Sequence, residues 1–204
     1  MLPAMTVTSE DVLDFWFGEL DASGCSDEAH AKRWWKKNPA FDEELRQRFG
    51  SLYQALADGA HDDWLKAPRG RLAYVVVLDQ FSRNMFRDTP RMYAYDPLAL
   101  AAAHGGVATN ADKTLRHDER IFLYMPFQHS EQLADQDLAV KLFEGLTKGL
   151  SGDLLKRAED NVVFAERHRD IVKRFGRFPH RNAILHRPTT PAEAEFLTQA
   201  NSSF

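Results

Sequence analysis

The chain has 204 residues, 44% of them hydrophobic and 27% charged, with a formal net charge of −4 and a pI near 6.1. This composition is typical of one globular domain whose core needs no disulfide or structural metal, and the negative balance argues against a general nucleic-acid binder. Cys25 is the single cysteine, which excludes an internal disulfide and a cysteine-rich zinc site and fits a reducing cytoplasm.

The opening sequence, MLPAMTVTSEDV, has neither a basic n-region nor an apolar h-region, and nowhere do about 18 apolar residues follow one another. We therefore expect a cytoplasmic protein that does not enter a membrane. Residues 1–7 are predicted to be a disordered extension, with Met1 or Met5 as the first residue. Residues 8–204 are predicted to form a single all-helical domain.

The first helix is predicted to begin at a cap provided by Thr8 or Ser9 and to end at Gly18. Ser26 is predicted to cap a second helix, DEAHAKRWWKK, and at least one of its two adjacent tryptophans is expected to reach the core. Asparagine and proline at 38–39 then open an amphipathic helix, whose apolar residues recur every three or four positions.

Pro68 opens the segment RGRLAYVVVLDQFSRNMF, which has strand propensity but no hairpin signal nearby and is therefore predicted to be a buried helix. Cap-then-proline pairs recur at 89–90 and 96–97. The alanine-rich helix that follows the second pair is predicted to stop at Gly105 and Gly106.

Residues 118–127 are predicted to be helical with an interruption at Pro126, and Ser130 is predicted to cap the next helix. Ser151 is predicted to start a long helix that ends at a left-handed Gly176. A capping-box pattern, TPAE, opens a last helix at residue 190.

Eight to nine helices with short connections, and no alternation of strands with helices, predict an all-α fold. We find no fixed-period repeat, and the tryptophan, glycine and tyrosine spacing of tetratricopeptide repeats is absent.

A first polar segment lies within the buried helix, where Asp79, Arg83 and Arg87 recur four residues apart on one face, with Asn84 beside them. One interpretation is a functional stripe. The other is an ion pair with an extra arginine at the solvent edge. The apolar neighbours indicate burial, where charge requires partners.

A second polar segment places His129 and Glu131 beside a predicted helix start. Glu131 is suited to a helix N-terminus for purely structural reasons, whereas His129 equally suits a pocket.

The third segment, residues 164–187, holds seven basic and two acidic residues, a local charge of +5. His168 lies on its helix, and His180 lies in the loop that follows Gly176. One interpretation is a site in which arginines bind an anion and an imidazole transfers a proton. The other is an arginine-rich clasp whose cations pair with carboxylates such as Asp79 and Glu131.

These segments supply the candidate site residues. The candidates for acid–base chemistry are His129, His180 and Glu131. The candidates for ligand binding are Asp79, Arg83, Asn84, Arg87, His168, Arg174, Arg177, Arg181 and Asn182. No metal site is predicted, because the HExxH spacing is absent and arginines repel cations, and no motif indicates a particular cofactor.

Across nearly its whole length the chain resembles the bacterial family named domain of unknown function 924. The matching motifs are VLDFWFGE at 12–19, LDQFSRN at 78–84, YMPFQHSE at 124–131, FGRFPHRN at 175–182 and TPAEAEFL at 190–197. The resemblance implies helix pairs in a tetratricopeptide-like arrangement and no particular activity. It also implies a family site at Asp79, Gln80, Arg83, Asn84, His129, Ser130, Glu131, Phe175, Arg177, His180, Arg181 and Asn182.

The chain departs from the family pattern at two positions. Ser82 stands where the family usually has proline, which predicts a straighter helix. His186 stands where it usually has glycine, which leaves the conformation after Asn182 open.

Three functions compete on these patterns. The first is a small-molecule enzyme or binding protein with an arginine–histidine pocket for an anionic ligand. The second is a non-catalytic module that binds a protein or peptide partner. In the third, the polar motifs are a salt-bridge network that specifies the fold.

Overall fold

The computed structural model describes residues 7–200 and 202–203, and these residues are helical with no strand, which confirms the all-α prediction. Residues 1–6 of the predicted extension, and with them Met1 and Met5, lie outside this part. The α-helices are α1 (Ser9–Phe17), α2 (Glu28–Trp35), α3 (Pro39–Ala57), α4 (Pro68–Val75), α5 (Ser82–Met85), α6 (Asp96–Ala108), α7 (His117–His129), α8 (Leu133–Leu146), α9 (Gly152–Phe175) and α10 (Pro191–Leu197).

Shorter helical turns complete the secondary structure. Four of the described segments are 3₁₀ turns: Asp62–Lys66, Pro90–Tyr93, Ala111–Thr114 and Pro179–Arg181. A π turn, Val76–Phe81, joins α4 to α5 without a break. If α4, the π turn and α5 are counted as one continuous helix, the described residues form nine α-helices, which agrees with the predicted eight to nine.

Several predicted helix ends are confirmed. Thr8 closes a full capping box at α1, and Asn38 accepts hydrogen bonds from the first turn of α3. Ser151 precedes α9, which ends at Gly176 in the left-handed conformation. Thr190 and Glu193 form the second capping box.

Other predicted helix ends are wrong. The side chain of Asp27, not Ser26, caps α2, because it accepts the His30 N–H. The N-cap position of α8 is Gln132, and Ser130 lies outside the helix.

Two predicted interruptions are also wrong. Helix α6 continues through Gly105 and Gly106 to Ala108. These glycines remain helical, and a Cβ on either would lie within 3.0 Å of the Arg71 side chain. Helix α7 continues through Pro126 to His129.

The described residues fall into two compact units. One contains the residues up to Arg87 together with Arg91–Pro126, and the other contains Asp88–Pro90 together with the residues from Phe127 onward. The prediction of a single domain from residue 8 to residue 204 stays a prediction. None of the described helices is both long and apolar enough to cross a bilayer.

The first unit is built around an aromatic core. Trp16 of α1 is 1% exposed and packs against Phe41 and Phe81 with ring centroids 6.3 and 5.4 Å apart. Phe81 lies on the π turn, so the core fixes the segment that carries Asp79. On α2, Trp34 is half-buried and Trp35 is 65% exposed.

The second unit is built on the packing of α8 against α9. The end of α9 and the loop after it form a small apolar cluster of Ile171, Val172 and Phe178, with Phe175 and Phe196 packed against it. This cluster places the loop that contains His180 and Arg181.

Candidate functional site

In the first unit, the Asp79 segment lies on a π turn, whose wider backbone is found often at functional sites. Asp79 is fully buried there, and its carboxylate accepts a hydrogen bond of 2.6 Å from the Gln80 amide. Ser82, at the position where the family usually has proline, donates its hydroxyl to the Asp79 carbonyl at 3.1 Å.

Arg83 is held between two carboxylates. Its guanidinium lies 3.1 Å from Asp79 Oδ1 and donates to both oxygens of Asp96 at 3.0 and 2.9 Å. Burial by itself would lower the pKa of this guanidinium, but the two carboxylates reverse that effect and raise it. The positive charge of Arg83 is therefore balanced by two carboxylates of the protein itself.

Arg87 reaches a different helix. Its guanidinium donates to Asp42 of α3 at 2.7 and 3.0 Å and also to the Asn84 side-chain oxygen. The predicted polar stripe is thus a pair of carboxylate-bound arginines, which fits the ion-pair interpretation of this helix.

Two open clefts lie on the first unit. One, of about 360 Å³, is lined by residues that include His61, Trp64 and Arg69, and the other, of about 280 Å³, includes Arg69, Arg116 and Glu119. Neither cleft is lined by a residue that the sequence predicted for the site.

In the second unit, Glu131 and Arg187 form a bidentate ion pair with distances of 2.7 and 3.0 Å. The same pair holds the backbone of Phe178, because Glu131 accepts the Phe178 N–H at 2.8 Å and Arg187 donates to the Phe178 carbonyl at 3.0 Å. Burial would raise the pKa of Glu131, but these hydrogen bonds lower it below its ordinary value. Asn182 completes the clasp by accepting from Arg187 Nε at 3.1 Å.

The chain before Glu131 is fixed by a buried amide. Gln136 of α8 donates to the carbonyl oxygens of Gln128 and Ser130 at 2.7 and 2.6 Å, and so satisfies carbonyl groups at the end of α7. The Ser130 hydroxyl donates to Asp135 at 2.7 Å. Gln136 therefore holds the backbone on both sides of His129 and the residue that precedes Glu131.

Two imidazoles and one guanidinium of the third segment lie against the ring of Phe178. It is fully buried, with the ring centroids of His168 and His180 each 5.6 Å away and Arg181 Cζ at 4.5 Å from its centroid. We call Phe178, His168, His180 and Arg181 the Phe178 group. Phe178 is not among the site residues predicted from the sequence.

Both histidines of the Phe178 group are neutral at about pH 7. Burial, followed by smaller effects from Arg181 and His129, lowers the pKa of His168 to about 3 and of His180 to about 4. His168 donates Nδ1–H to the Phe164 carbonyl at 2.7 Å, so its Nε2 carries the lone pair. His129, half-buried at the end of α7, is close enough to act on both rings.

Two other predicted residues tie down the tail. Arg177 donates to both oxygens of Glu193 at 2.6 and 2.8 Å, and also to the Pro188 carbonyl at 2.7 Å. Arg174 lies over the rings of Phe175 and Phe196, at 4.6 and 5.7 Å from their centroids. Among the described residues, no group of three or more metal-binding side chains is suited to a metal ion.

With this geometry in place, a comparison with family models finds a match over residues 12–201 to the family described as bacterial protein of unknown function, DUF924. The match covers far more than half of the chain. The chain belongs to this family.

A solved structure supports this membership. The structure of protein of unknown function ATU0120 from Agrobacterium tumefaciens is 40% identical in sequence to this DUF924 protein. It superposes with a TM-score of 0.76 over 93% of this chain and 96% of that chain. A comparison with curated proteins finds no match.

The DUF924 motifs separate into two sets. The residues of the LDQFSRN motif form ion pairs and amide contacts in the first unit. In the second unit, the structure brings Glu131, His168, His180, Arg181 and Asn182 to the loop around Phe178. The sequence did contain a signal for the Phe178 group, because Phe178 is an aromatic residue that lies between the basic residues of the FGRFPHRN motif.

Proposed function

We propose that this DUF924 protein binds a small anionic ligand at the Phe178 group. One observation carries the proposal: two imidazoles and a guanidinium all lie against a single buried ring. His180 is half-buried, which gives an incoming ligand a route to the group.

The electrostatics support an anion as the ligand. Arg181 and Arg187 both lower the pKa of His180, so the potential at this ring has a strong positive contribution, while Glu131 opposes it. The Glu131 carboxylate is already bound by Arg187 and by the Phe178 N–H. Neutral imidazoles add hydrogen-bonding nitrogens without a second buried charge.

We favour binding over acid–base catalysis. An imidazole with a pKa of about 4 is a weak base at neutral pH, and the bidentate contact with Arg187 suits Glu131 to a positioning role. The candidate ligand-binding residues Arg83, Arg87 and Arg177 are engaged by carboxylates and are left out of the proposed site. No cofactor is assigned.

The experiment is a titration of the histidine ring protons by NMR, with and without inorganic phosphate. A bound anion stabilises the imidazolium form, so the pKa of His180 is expected to rise when phosphate is present. His61 belongs to the other unit, so its ring-proton signals serve as the internal control.

A variant pair makes the test specific. Phosphate should raise the melting temperature of the protein, and His180→Gln should abolish that rise. His186→Gln, which changes an exposed histidine in the same loop, should leave it intact. If phosphate, sulfate and citrate leave the His180 titration where sodium chloride of equal ionic strength leaves it, the proposal is wrong.

A second candidate is a non-catalytic module for a protein or peptide partner, in which the polar motifs serve the fold. The carboxylate-bound state of Arg83, Arg87, Arg177 and Arg187 favours it. A tetratricopeptide-like arrangement belongs to this candidate and stays a prediction. Under it, phosphate should leave the melting temperature of the wild type unchanged, while Arg177→Ala should lower that temperature by removing the Glu193 pair. We place either function in the cytoplasm as part of the proposal, supported by the single cysteine.

A further inference from the structure

The outer face of α9 carries a row of exposed side chains. They recur every three or four residues on either side of an adjacent apolar pair, which is the spacing at which side chains share one face of a helix. The apolar pair, Val163 and Phe164, is 43% and 49% exposed. We call the following residues the α9 row: Asp153, Arg157, Asp160, Val163, Phe164, Arg167, Asp170 and Arg174.

The charges of the α9 row change sign when the row is read backwards. They run acid, base, acid before the apolar pair and base, acid, base after it. Two copies of α9 that pack antiparallel, with Val163 of one beside Phe164 of the other, therefore place an opposite charge against every charge of the row. The facing pairs are Asp160 with Arg167, Asp170 with Arg157, and Asp153 with Arg174. A two-fold axis repeats each of these pairs, so the row is complementary to itself.

The inner charges of the row are available for such pairing. Asp153 and Asp160 form no ion pair with any other residue that the structure describes. The guanidinium of Arg167 lies over the ring of Phe164, with Cζ 5.7 Å from the ring centroid, so a base adjoins the apolar centre. A half-exposed aromatic ring flanked by a base and an acid is typical of the centre of a small interface.

We propose that α9 is a self-association surface, on which a second copy of this chain docks its own α9 antiparallel. The charge order selects this occupant, because a polyanion would meet the acids of the row and a polycation would meet the bases. Lys156 lies on the same side of the helix, and in this register it faces Ile171 and not another base.

The dimer is expected to be weak. The 24 residues of α9 extend about 36 Å, and one helix from each copy makes an interface at the small end of the specific ones. A dissociation constant on the order of 10 μM is expected, and it should increase with salt because the paired charges are exposed. The α9 row shares no residue with the Phe178 group, so the two proposals stand or fall separately.

The test uses the full chain and measures its mass by sedimentation velocity over a series of concentrations. Arg167→Asp places two acids against two acids across the two-fold axis, and Asp160→Arg places two bases against two bases. Each single variant should weaken the dimer about tenfold or more.

Mixing the two variants makes the test specific to this register. In a mixed dimer, both acids of the Arg167→Asp chain face both bases of the Asp160→Arg chain. An equimolar mixture should therefore dimerise at a concentration at which each variant alone is monomeric. A purely structural effect of either substitution would not be repaired by the other chain.

Lys173→Asp is the matched control, because it makes the same change of charge at an exposed position of α9 outside the row. It should dimerise as the wild type does. Circular dichroism should show every variant folded, since the altered side chains are exposed.

Any of three results would overturn the proposal. The first is a wild-type chain that stays monomeric at about 0.5 mM, well above the dissociation constant expected for this interface. The second is a dimer that the single variants leave unchanged, which would place the contact on another surface. The third is a mixture that stays monomeric, which would mean that these charges do not face one another.

Discussion

Replacing His186 by glycine is expected to stabilise this protein. His186 has a φ of 54°, in the left-handed region that a residue with a Cβ disfavours. It holds this conformation in the turn where the Arg187 N–H bonds to the Asn182 carbonyl at 2.8 Å. The turn brings Arg187 back to Glu131, so the strained residue supports the clasp on Phe178.

The magnitude follows from two opposing effects. A left-handed residue with a Cβ costs about 1–2 kcal/mol, which glycine removes. Glycine also makes the unfolded chain more flexible, which lowers the free energy of unfolding by about 0.4–1 kcal/mol. Since the His186 side chain is exposed, few contacts are lost. The net expectation is a gain of about 0.5–1 kcal/mol in the free energy of unfolding, or about 2 °C in melting temperature for a chain of this size.

Gly176→Ala is the matched control. Gly176 ends α9 with a φ of 69°, and a Cβ added there meets no atom within 4 Å. The change therefore introduces left-handed strain without a clash and should destabilise by about 1 kcal/mol. Urea unfolding followed by circular dichroism measures both variants in one assay.

Backbone strain at His186 would not limit stability if His186→Gly were neutral or destabilising while Gly176→Ala lost stability as expected. That pair of results would show that the imidazole of His186 contributes contacts that outweigh its backbone strain.

Three further predictions concern helices and ion pairs. Gly50→Ala should stabilise by about 1 kcal/mol in urea unfolding, because Gly50 lies inside α3 with open space around its Cα; a loss of stability would contradict this. The pKa of Glu193 is lowered to about 2 by the hydrogen bond from Arg177, so its contribution is present above about pH 4.3 and is lost as the pH falls toward 2. The gap in melting temperature between the wild type and Glu193→Gln should close over that range, and a gap independent of pH would speak against it. Glu131→Gln should cost about 1–2 kcal/mol, less than a fully buried pair, since Glu131 and Arg187 are about a quarter exposed. A double-mutant cycle with Arg187→Gln should show coupling, and additive effects would mean that the pair contributes nothing.

Local backbone chemistry explains which parts of the fold were predictable. The caps at Thr8, Asn38 and Thr190 were predicted because a side-chain acceptor, a following proline or a reciprocal glutamate marks a helix start within four residues. Ser26 failed because the adjacent Asp27 is an equally good acceptor, and only the tertiary structure decides between them.

Tertiary packing explains the misses. In the sequence, Gly105 and Gly106 resemble a helix stop. In the fold they lie within α6, where the absence of a Cβ makes room for Arg71 and Leu123. The π turn at Val76–Phe81 has no sequence signal that we recognised. The family motifs supplied most of the candidate residues, whereas the role of Phe178 depends on contacts that a linear pattern does not contain.

The two members of the Glu131–Arg187 pair cannot exchange places, because each bonds a different backbone group of Phe178. Phe178 lies outside the regular helices, and its N–H and carbonyl are bonded by the carboxylate and the guanidinium respectively, as neighbouring backbone would bond them in a helix. Exchanging the two charges would keep the Coulomb attraction but place a donor against the N–H and an acceptor against the carbonyl. The reversed pair, Glu131→Arg with Arg187→Glu, therefore should not restore the stability that either single change removes. At this position the ion pair functions as a piece of secondary structure, so the two residues can change only to another acceptor and another donor in the same places.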